Sequence, residues 1–209
     1  MTQARHGKFI TVEGTEGVGK STNLAFISHQ LEKAGISYIT TREPGGTELA
    51  ELIRTLLISH HDEPMCEMTE LLLIFAARAQ HIDRVIAPAM AQGKWVLCDR
   101  FTDATFAYQG GGRGLDQKLI EQLQDLVQES LRPDLTIILD LAPEVGLKRA
   151  QKRADLDRFE VEKIDFFNKV RQNYLSRAAL EPERCKVINA DATLEQVQAD
   201  IERALGVLL

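Results

Sequence analysis

The chain has 209 residues, of which 44% are hydrophobic and 27% charged, and its formal net charge is −6. This length and composition predict one globular domain with a substantial core. The acidic balance argues against a general nucleic-acid binder or a membrane-surface protein, since both usually carry a basic excess.

The start of the chain and its cysteines indicate a reduced compartment. The opening residues, MTQARHGKF, lack the apolar core of a signal peptide, and no run approaches the roughly 18 apolar residues of a membrane helix. Cys66, Cys98 and Cys185 lie far apart and form no CxxC pair, which argues against a disulfide framework or a zinc site. We therefore expect a cytoplasmic protein without a membrane partner.

Five apolar runs rich in β-branched residues predict buried strands. They cover residues 8–14, 35–43, 94–100, 134–141 and 186–191. Helical patterns lie between them, so successive βαβ units predict an α/β fold, a five-stranded parallel sheet flanked by helices in three layers. Ligands of such sheets bind at the carboxyl ends of the strands.

Two connections are longer than a crossover requires. Residues 44–93 predict helices near 49–58 and 67–87, which we expect to form a second wall of a binding site. Residues 142–185 include a charged segment that predicts a mobile lid around 149–160 within a single domain, 1–209. The stretch QGGGRG, 109–114, predicts a loop by composition.

The residues after the first strand match a phosphate-binding loop. Gly14, four further residues and then Gly19, Lys20 and Ser21 fit G-x-x-x-x-G-K-[ST] in the required place, between a strand and a helix. Backbone N–H groups of such a loop converge on phosphate oxygens, the lysine reaches the β/γ oxygens and the serine hydroxyl faces Mg²⁺. The predicted nucleotide-binding residues are Gly14, Thr15, Glu16, Gly17, Val18, Gly19, Lys20, Ser21 and Thr22. Within this anion cradle, the carboxylate of Glu16 is unexpected.

A phosphate-binding loop leaves three functions open: a guanine-nucleotide switch, a motor or transporter ATPase, and a kinase with a second substrate. A switch needs N-K-x-D, but the nearest match, NKVR at 168–171, ends in Arg171. An ATPase usually needs a second acid after its metal-binding aspartate, whereas Arg100 follows Asp99. An arginine at that position suits a phosphate-bearing acceptor better than water.

Arginines cluster in two places: near the ends of the second and third predicted strands or on the helices between them, and in the predicted lid. For any one of them a solvated surface ion pair is the alternative interpretation. They are Arg42, Arg54, Arg78 and Arg100 in the first group and Arg149, Arg153 and Arg158 in the second.

Three further motifs complete a family pattern: TREPGGT at 41–47, DRFTDATFAYQGGGRG at 99–114 and KRADLDRFE at 152–160. Together with the phosphate-binding loop they resemble bacterial thymidylate kinases, P-loop nucleoside monophosphate kinases, over nearly the whole chain. The resemblance implies a P-loop nucleoside triphosphate hydrolase-type fold, commonly homodimeric. It also implies transfer of the γ-phosphoryl group of ATP to dTMP, giving dTDP, with Mg²⁺.

The resemblance also implies residue roles. Arg54 and Arg100 match arginines that grip the acceptor phosphate, Glu16 matches an acid that meets the sugar 3′-hydroxyl, and Asp99 matches an acid near Mg²⁺ together with Ser21. The implied dTMP-binding residues are Glu16, Pro44, Arg54, Phe75, Arg78, Arg100, Thr105, Tyr108 and Gln109. The implied catalytic residues are Lys20, Asp99, Arg100 and Arg153.

Two implied roles compete with structural alternatives. Phe75 matches an aromatic that stacks on thymine and Arg78 a donor to a base carbonyl, whereas by their pattern alone Phe75 would be a core residue and Arg78 a surface charge. Some family members carry an arginine at the position of Gly17, and others carry it in the lid. This chain resembles the second type, with Arg153.

Two other functions stay open alongside dTMP kinase. One is a kinase for another nucleoside monophosphate, and the other is a nucleotide-binding regulatory module without turnover. The acceptor-side arginines distinguish the module, because a module without turnover would not need them.

Overall fold

The computed structural model describes residues 7–150, 158–159 and 162–209. Within these residues one fully parallel sheet has the strand order β2-β3-β1-β4-β5. Its strands are β1 (Phe9–Glu13), β2 (Tyr38–Arg42), β3 (Trp95–Asp99), β4 (Leu135–Asp140) and β5 (Cys185–Asn189). The five-stranded parallel sheet predicted from the sequence is confirmed.

The central strand, β1, places two chain segments side by side. All five of its residues are buried. Val12 lies opposite Asp99 of β3 and Ile137 of β4. The phosphate-binding loop after β1 and the segment after β3 therefore leave the same edge of the sheet as neighbours.

Helices cover both faces of the sheet. Ile27, Leu31 and Ile201 pack on one face, while Met90 and Phe167 belong to clusters on the other. The helices are α1 (Lys20–Lys33), α2 (Glu48–Ile58), α3 (Glu67–His81), α4 (Ala87–Ala91), α5 (Thr102–Thr105), α6 (Gln117–Gln128), α7 (Pro143–Ala150), α8 (Ile164–Leu180) and α9 (Leu194–Leu205). None of the helices within the described ranges has the length and apolar character needed to cross a membrane.

The glycine-rich stretch 109–114 is not simply the loop that its composition predicts. A π-helical segment, Phe106–Gly112, continues α5 through its first glycines. A β-carbon on Gly111 would come within 2.8 Å of Asn173 Cβ, and one on Gly112 would overlap the ring of Phe166. The loop prediction was therefore wrong for residues 109–112, where the glycines allow close packing against α8, whereas Arg113 and Gly114 do lie in a turn and loop.

Candidate active site

The phosphate-binding loop has the backbone that its glycines allow. Gly14, Gly17 and Gly19 have φ angles of 137°, 70° and 88°, a region that other residues rarely adopt. Lys20 opens α1, and its Nζ donates to the carbonyl oxygens of Gly14 at 3.2 Å and Thr15 at 3.1 Å. Burial lowers the pKa of the Lys20 ammonium, and Arg100 acts in the same direction. The loop thus holds a cation inside a curved backbone at a helix N-terminus.

Gly17 touches the helix that leads toward the predicted lid. A β-carbon on Gly17 would overlap the carbonyl oxygen of Gly146 in α7, and one on Gly146 would overlap the carbonyl oxygen of Glu16. Because the backbones meet directly, no side chain fits at position 17 without moving one of them. An arginine at that position is incompatible with this packing.

Glu16 faces away from the phosphate cradle. Its Oε1 accepts from Arg100 Nη2 at 2.6 Å and from the Tyr108 hydroxyl at 3.0 Å. Arg100 also lies over the Tyr108 ring, with its Cζ 4.8 Å from the centroid. The unexpected carboxylate therefore joins the loop to the arginine that follows β3.

Arg100 has an unusual backbone conformation, which Glu13 helps to fix. Its φ is 67°, in the left-handed region. Glu13, fully buried on β1, accepts from the next backbone N–H, that of Phe101, at 2.7 Å and from the Tyr174 hydroxyl at 2.9 Å. Tyr174 in turn accepts from Arg100 Nη1 at 3.3 Å. Burial raises the pKa of Glu13 to about 8, and Asp103 adds to this effect.

Arg78 is buried, unlike the surface charge that its pattern alone would suggest. Its Nε donates to Glu43 Oε2 at 2.7 Å and its Nη2 to Thr105 Oγ1 at 3.0 Å. Its Cζ lies 4.8 Å from the Phe75 centroid and 5.0 Å from that of Phe101. Nη1 is buried without a hydrogen-bond partner among the described residues. The side chain is therefore rigidly placed with one donor left over.

The structure moves one predicted contact by a single residue. Phe75 belongs to a core cluster with Leu71 and Phe106 and supports Arg78 from below. Its neighbour Ile74, four residues before Arg78, lines the cavity in its place. The assignment of Phe75 as the residue that stacks on a base is corrected accordingly. The i, i+4 relation to Arg78 was the signal that could have identified Ile74.

A cavity of about 260 Å³ brings most of the predicted residues together. Predicted residues in its wall are Glu16, Gly17, Val18, Gly19, Lys20, Ser21, Pro44, Arg54, Arg78, Asp99, Arg100, Thr105, Tyr108 and Gln109. Helices α2 and α3 supply its second side, as the long connection predicted. Glu43 also lies in this wall, and residues that the sequence did not single out for it are Leu57, Ile58, Ile74, Phe101, Ala104 and Phe159. Gly14, Thr15 and Thr22 belong to the loop and its helix without forming the wall.

One part of the cavity wall offers oxygen ligands suited to a divalent cation. Ser21, in the first turn of α1, and Asp99, the last residue of β3, both lie in the wall. Asp99 Oδ1 is buried and has no hydrogen-bond partner in the described part of the chain. A buried carboxylate oxygen in that state is suited to binding a cation directly or through water.

The described arginines around the predicted lid have structural partners. Arg149 pairs with Asp191 at 3.8 Å. Arg158 donates to the Leu57 carbonyl oxygen at 2.9 Å and to Glu70 Oε2 at 2.5 Å. Arg153 lies outside the described residues.

Comparisons with known proteins agree with this geometry. A family model described as thymidylate kinase matches residues 12–201. The chain is 59% identical over 203 residues to a thymidylate kinase of Teredinibacter turnerae, covering 97% of this chain and 99% of the relative. A thymidylate kinase of Ectopseudomonas mendocina is also 59% identical over 203 residues, with 97% of each chain covered. The crystal structure of a thymidylate kinase from Ehrlichia chaffeensis matches with a TM-score of 0.78 and 35% identity, covering 96% of this chain and 98% of the other. The chain belongs to the thymidylate kinase family.

Proposed function

We propose that this protein transfers the γ-phosphoryl group of ATP to dTMP, giving dTDP for deoxynucleotide biosynthesis, with Mg²⁺. The observation that carries the proposal is one cavity lined both by the phosphate-binding loop and by Arg54, Arg78 and Arg100. Phosphoryl transfer depends mainly on positioning and on neutralising phosphate charge. A cavity with cations on two sides supports a reaction between two phosphate-bearing substrates.

ATP phosphates bind the loop and the N-terminus of α1 in this proposal. Lys20 exchanges its contacts with Gly14 and Thr15 for β- and γ-phosphate oxygens. Ser21 and Asp99 hold Mg²⁺, which neutralises the developing charge on the phosphates when it is bound. Asp99 Oδ1 supports this assignment, because it has no hydrogen-bond partner among the described residues.

dTMP lies on the other side of the cavity. Arg54, whose Nη1 donates to the Pro44 carbonyl oxygen at 3.0 Å, and Arg100 bind its phosphate. Glu16 accepts from the 3′-hydroxyl, and Tyr108 packs against the sugar. Thr105 acts in base recognition through Arg78, because its hydroxyl accepts from that guanidinium.

Arg153 of the lid supplies the cation that faces the transferring phosphoryl group. The packing of Gly17 against Gly146 supports this source, because it leaves no room for an arginine in the phosphate-binding loop. The whole chain then acts as one domain whose lid, 149–160, brings Arg153 to ATP.

Incubation with Mg²⁺, dTMP and ATP labelled on its γ-phosphate tests the proposal. We expect the label in dTDP. Label transferred to other nucleoside monophosphates but not to dTMP would favour a different kinase of this class. Absence of transfer to any acceptor, with ATP bound, would favour a regulatory module, although such a module has no need of the buried Arg78.

We also propose a cytoplasmic homodimer. Leu52 and Leu56 of α2 are 62% and 50% exposed, and Leu72 of the adjoining α3 is 51% exposed. Leu49 and Met68 extend the same apolar surface, which would be costly to leave in water. The buried free thiols of Cys98 and Cys185 support a reduced compartment.

Sedimentation of two matched variants tests the dimer. Leu52→Glu places a charge in the apolar surface, whereas Leu180→Glu changes a leucine on α8 that is even more exposed, at 72%. We expect the first to sediment as a monomer and the second as a dimer. A dimeric Leu52→Glu, or a monomeric wild type, would contradict this surface.

A further inference from the structure

Gln109, in the wall of the cavity, has an amide whose orientation is set by Glu70. Gln109 is 2% exposed, and its Nε2 donates to Glu70 Oε1 at 2.8 Å. A carboxylate oxygen accepts hydrogen bonds and does not donate them. The amide nitrogen must therefore face Glu70, and the carbonyl oxygen is the acceptor that Gln109 offers on its other side.

Glu70 is itself held in place by two arginines. Its side chain is 1% exposed. Oε1 also accepts from Arg113 Nε at 3.2 Å, while Oε2 accepts from Arg158 Nη2 at 2.5 Å and from Arg113 Nη2 at 3.3 Å. Both oxygens are thus fixed by partners on other segments, so Glu70 orients Gln109 before any ligand binds.

Arg78 supplies the opposite polarity on the same wall. Glu43 and Thr105 use its Nε and Nη2, which leaves Nη1 as a buried donor with no partner among the described residues. Arg78 and Gln109 both line the cavity, so a donor held by Glu43 and Thr105 and an acceptor oriented by Glu70 belong to the same wall. Two buried carboxylates, Glu43 and Glu70, set this pattern.

The pattern matches one class of pyrimidine. Thymine and uracil present a carbonyl oxygen at position 4 and an N–H at position 3, whereas cytosine presents an amino group and an unprotonated nitrogen there. We propose that Glu70 is a specificity-determining positioning residue, which selects bases with an imide N–H over cytosine by holding the Gln109 carbonyl oxygen toward the base. This inference rests on the proposed binding of a pyrimidine monophosphate in the cavity.

The dTMP/dCMP ratio of kcat/KM measures the selection. In Glu70→Gln the new amide can accept a hydrogen bond from Gln109 or donate one to it. The Gln109 amide can therefore rotate so that its nitrogen and oxygen exchange places. We expect the ratio to fall about 10-fold or more, the equivalent of one hydrogen bond of discrimination. The KM for dTMP should rise while the KM for ATP stays within about twofold of wild type.

Glu162→Gln is the matched control. Glu162 also pairs with Arg113. It would therefore act on the site through that arginine and not through Gln109. This variant removes a carboxylate from the same network, and we expect the ratio of wild type. A ratio lowered as much as in Glu70→Gln would overturn the proposal, because loss of the network would then explain both.

A double-mutant cycle separates a role through Gln109 from a general one. Gln109→Leu removes both polar ends of the amide, and we expect it to lower the ratio to the level of Glu70→Gln or below. If Glu70 acts through Gln109, adding Glu70→Gln to Gln109→Leu changes the ratio no further. Independent, multiplying effects would overturn the proposal, and so would an unchanged ratio in Gln109→Leu, a test that does not depend on Glu70 variants folding.

The activity of the wild type distinguishes failure of the proposed function from failure of the role of Glu70. If it does not phosphorylate dTMP, the proposed function fails. If it phosphorylates dTMP and rejects dCMP, but Glu70→Gln and Gln109→Leu reject dCMP equally well, only the role of Glu70 fails.

Discussion

Alanine variants of three glycines test the close contact between Gly17 and Gly146. They separate the two physical effects that would destabilise a side chain at position 17, a left-handed φ and steric overlap. Gly17 has a left-handed φ of 70°, and a β-carbon on it would also overlap the Gly146 carbonyl oxygen. Gly19 has a φ of 88°, but among the described residues its β-carbon would meet only Asn23 Nδ2, at an ordinary 3.5 Å. Gly146 lies within α7, without a left-handed φ, and its β-carbon would overlap the Glu16 carbonyl oxygen.

These differences give magnitudes for three alanine variants. A left-handed conformation costs a residue with a side chain about 1–2 kcal/mol, and overpacking costs about 1–3 kcal/mol. We expect Gly19→Ala to lose about 1–2 kcal/mol of unfolding free energy, from its backbone alone, and Gly17→Ala to lose about 2–5 kcal/mol, from both causes. Gly146→Ala should be destabilising, although alanine in place of glycine within a helix normally gains up to about 1 kcal/mol.

Urea unfolding followed by far-UV circular dichroism measures all three. Equal losses for Gly17→Ala and Gly19→Ala, or a stabilised Gly146→Ala, would refute the close packing. The phosphate-binding loop would then have room for an arginine at position 17.

Three further predictions concern single residues. Arg153→Ala should lower kcat by about 10³-fold or more with little change in the KM for dTMP, because the contact is strongest in the transition state; a change confined to KM in steady-state kinetics would contradict it. Glu16→Gln should raise the KM for dTMP about 10- to 100-fold, the equivalent of a charged hydrogen bond, and leave the KM for ATP nearly unchanged. It should have little effect on an acceptor without the 3′-hydroxyl, so equal losses with both acceptors would count against the sugar contact. The pKa of Glu13 is about 8 in the folded protein and about 4.5 in the unfolded chain, so between these pH values the folded protein binds more protons. The contribution of Glu13 to stability is therefore fully present below pH 4.5 and is lost as the pH rises to about 8. The stability of wild type relative to Glu13→Gln should therefore fall by up to about 5 kcal/mol across that range in urea unfolding without Mg²⁺, and a difference that does not vary with pH would show that Glu13 does not titrate there.

The sheet and the phosphate-binding loop could be predicted because local patterns specify them. Runs of buried β-branched residues predicted all five strands, and the glycine spacing predicted the loop after β1. Gly35, which follows the C-cap residue of α1, has a φ of 67°, the conformation that favours glycine just after a helix. In each case the signal lies within a few neighbouring residues.

Contacts between distant segments were beyond the sequence. The exchange of Phe75 for Ile74 in the cavity wall depends on the rotation of α3 against α6 and the segment 106–112, which one helical pattern does not fix. The glycines at 111 and 112 looked like a loop because their packing partners lie on α8, far along the chain.

Buried charged residues were a second feature that could not be predicted from the sequence. Glu70 and Glu43 resemble ordinary surface acids in the sequence, and only the fold brings Gln109 and Arg78 to them. The residues that position the predicted site are therefore harder to find from sequence than the predicted site itself.

A competition among acceptors shows which nucleoside monophosphate the enzyme phosphorylates. Equal concentrations of dTMP, dUMP, dCMP and GMP are incubated in one reaction with the enzyme, Mg²⁺ and limiting ATP, and the diphosphate products are separated by anion exchange. We expect dTDP to be the dominant product. A dominant product other than dTDP, or a mixture in the proportions of the acceptors supplied, would contradict it.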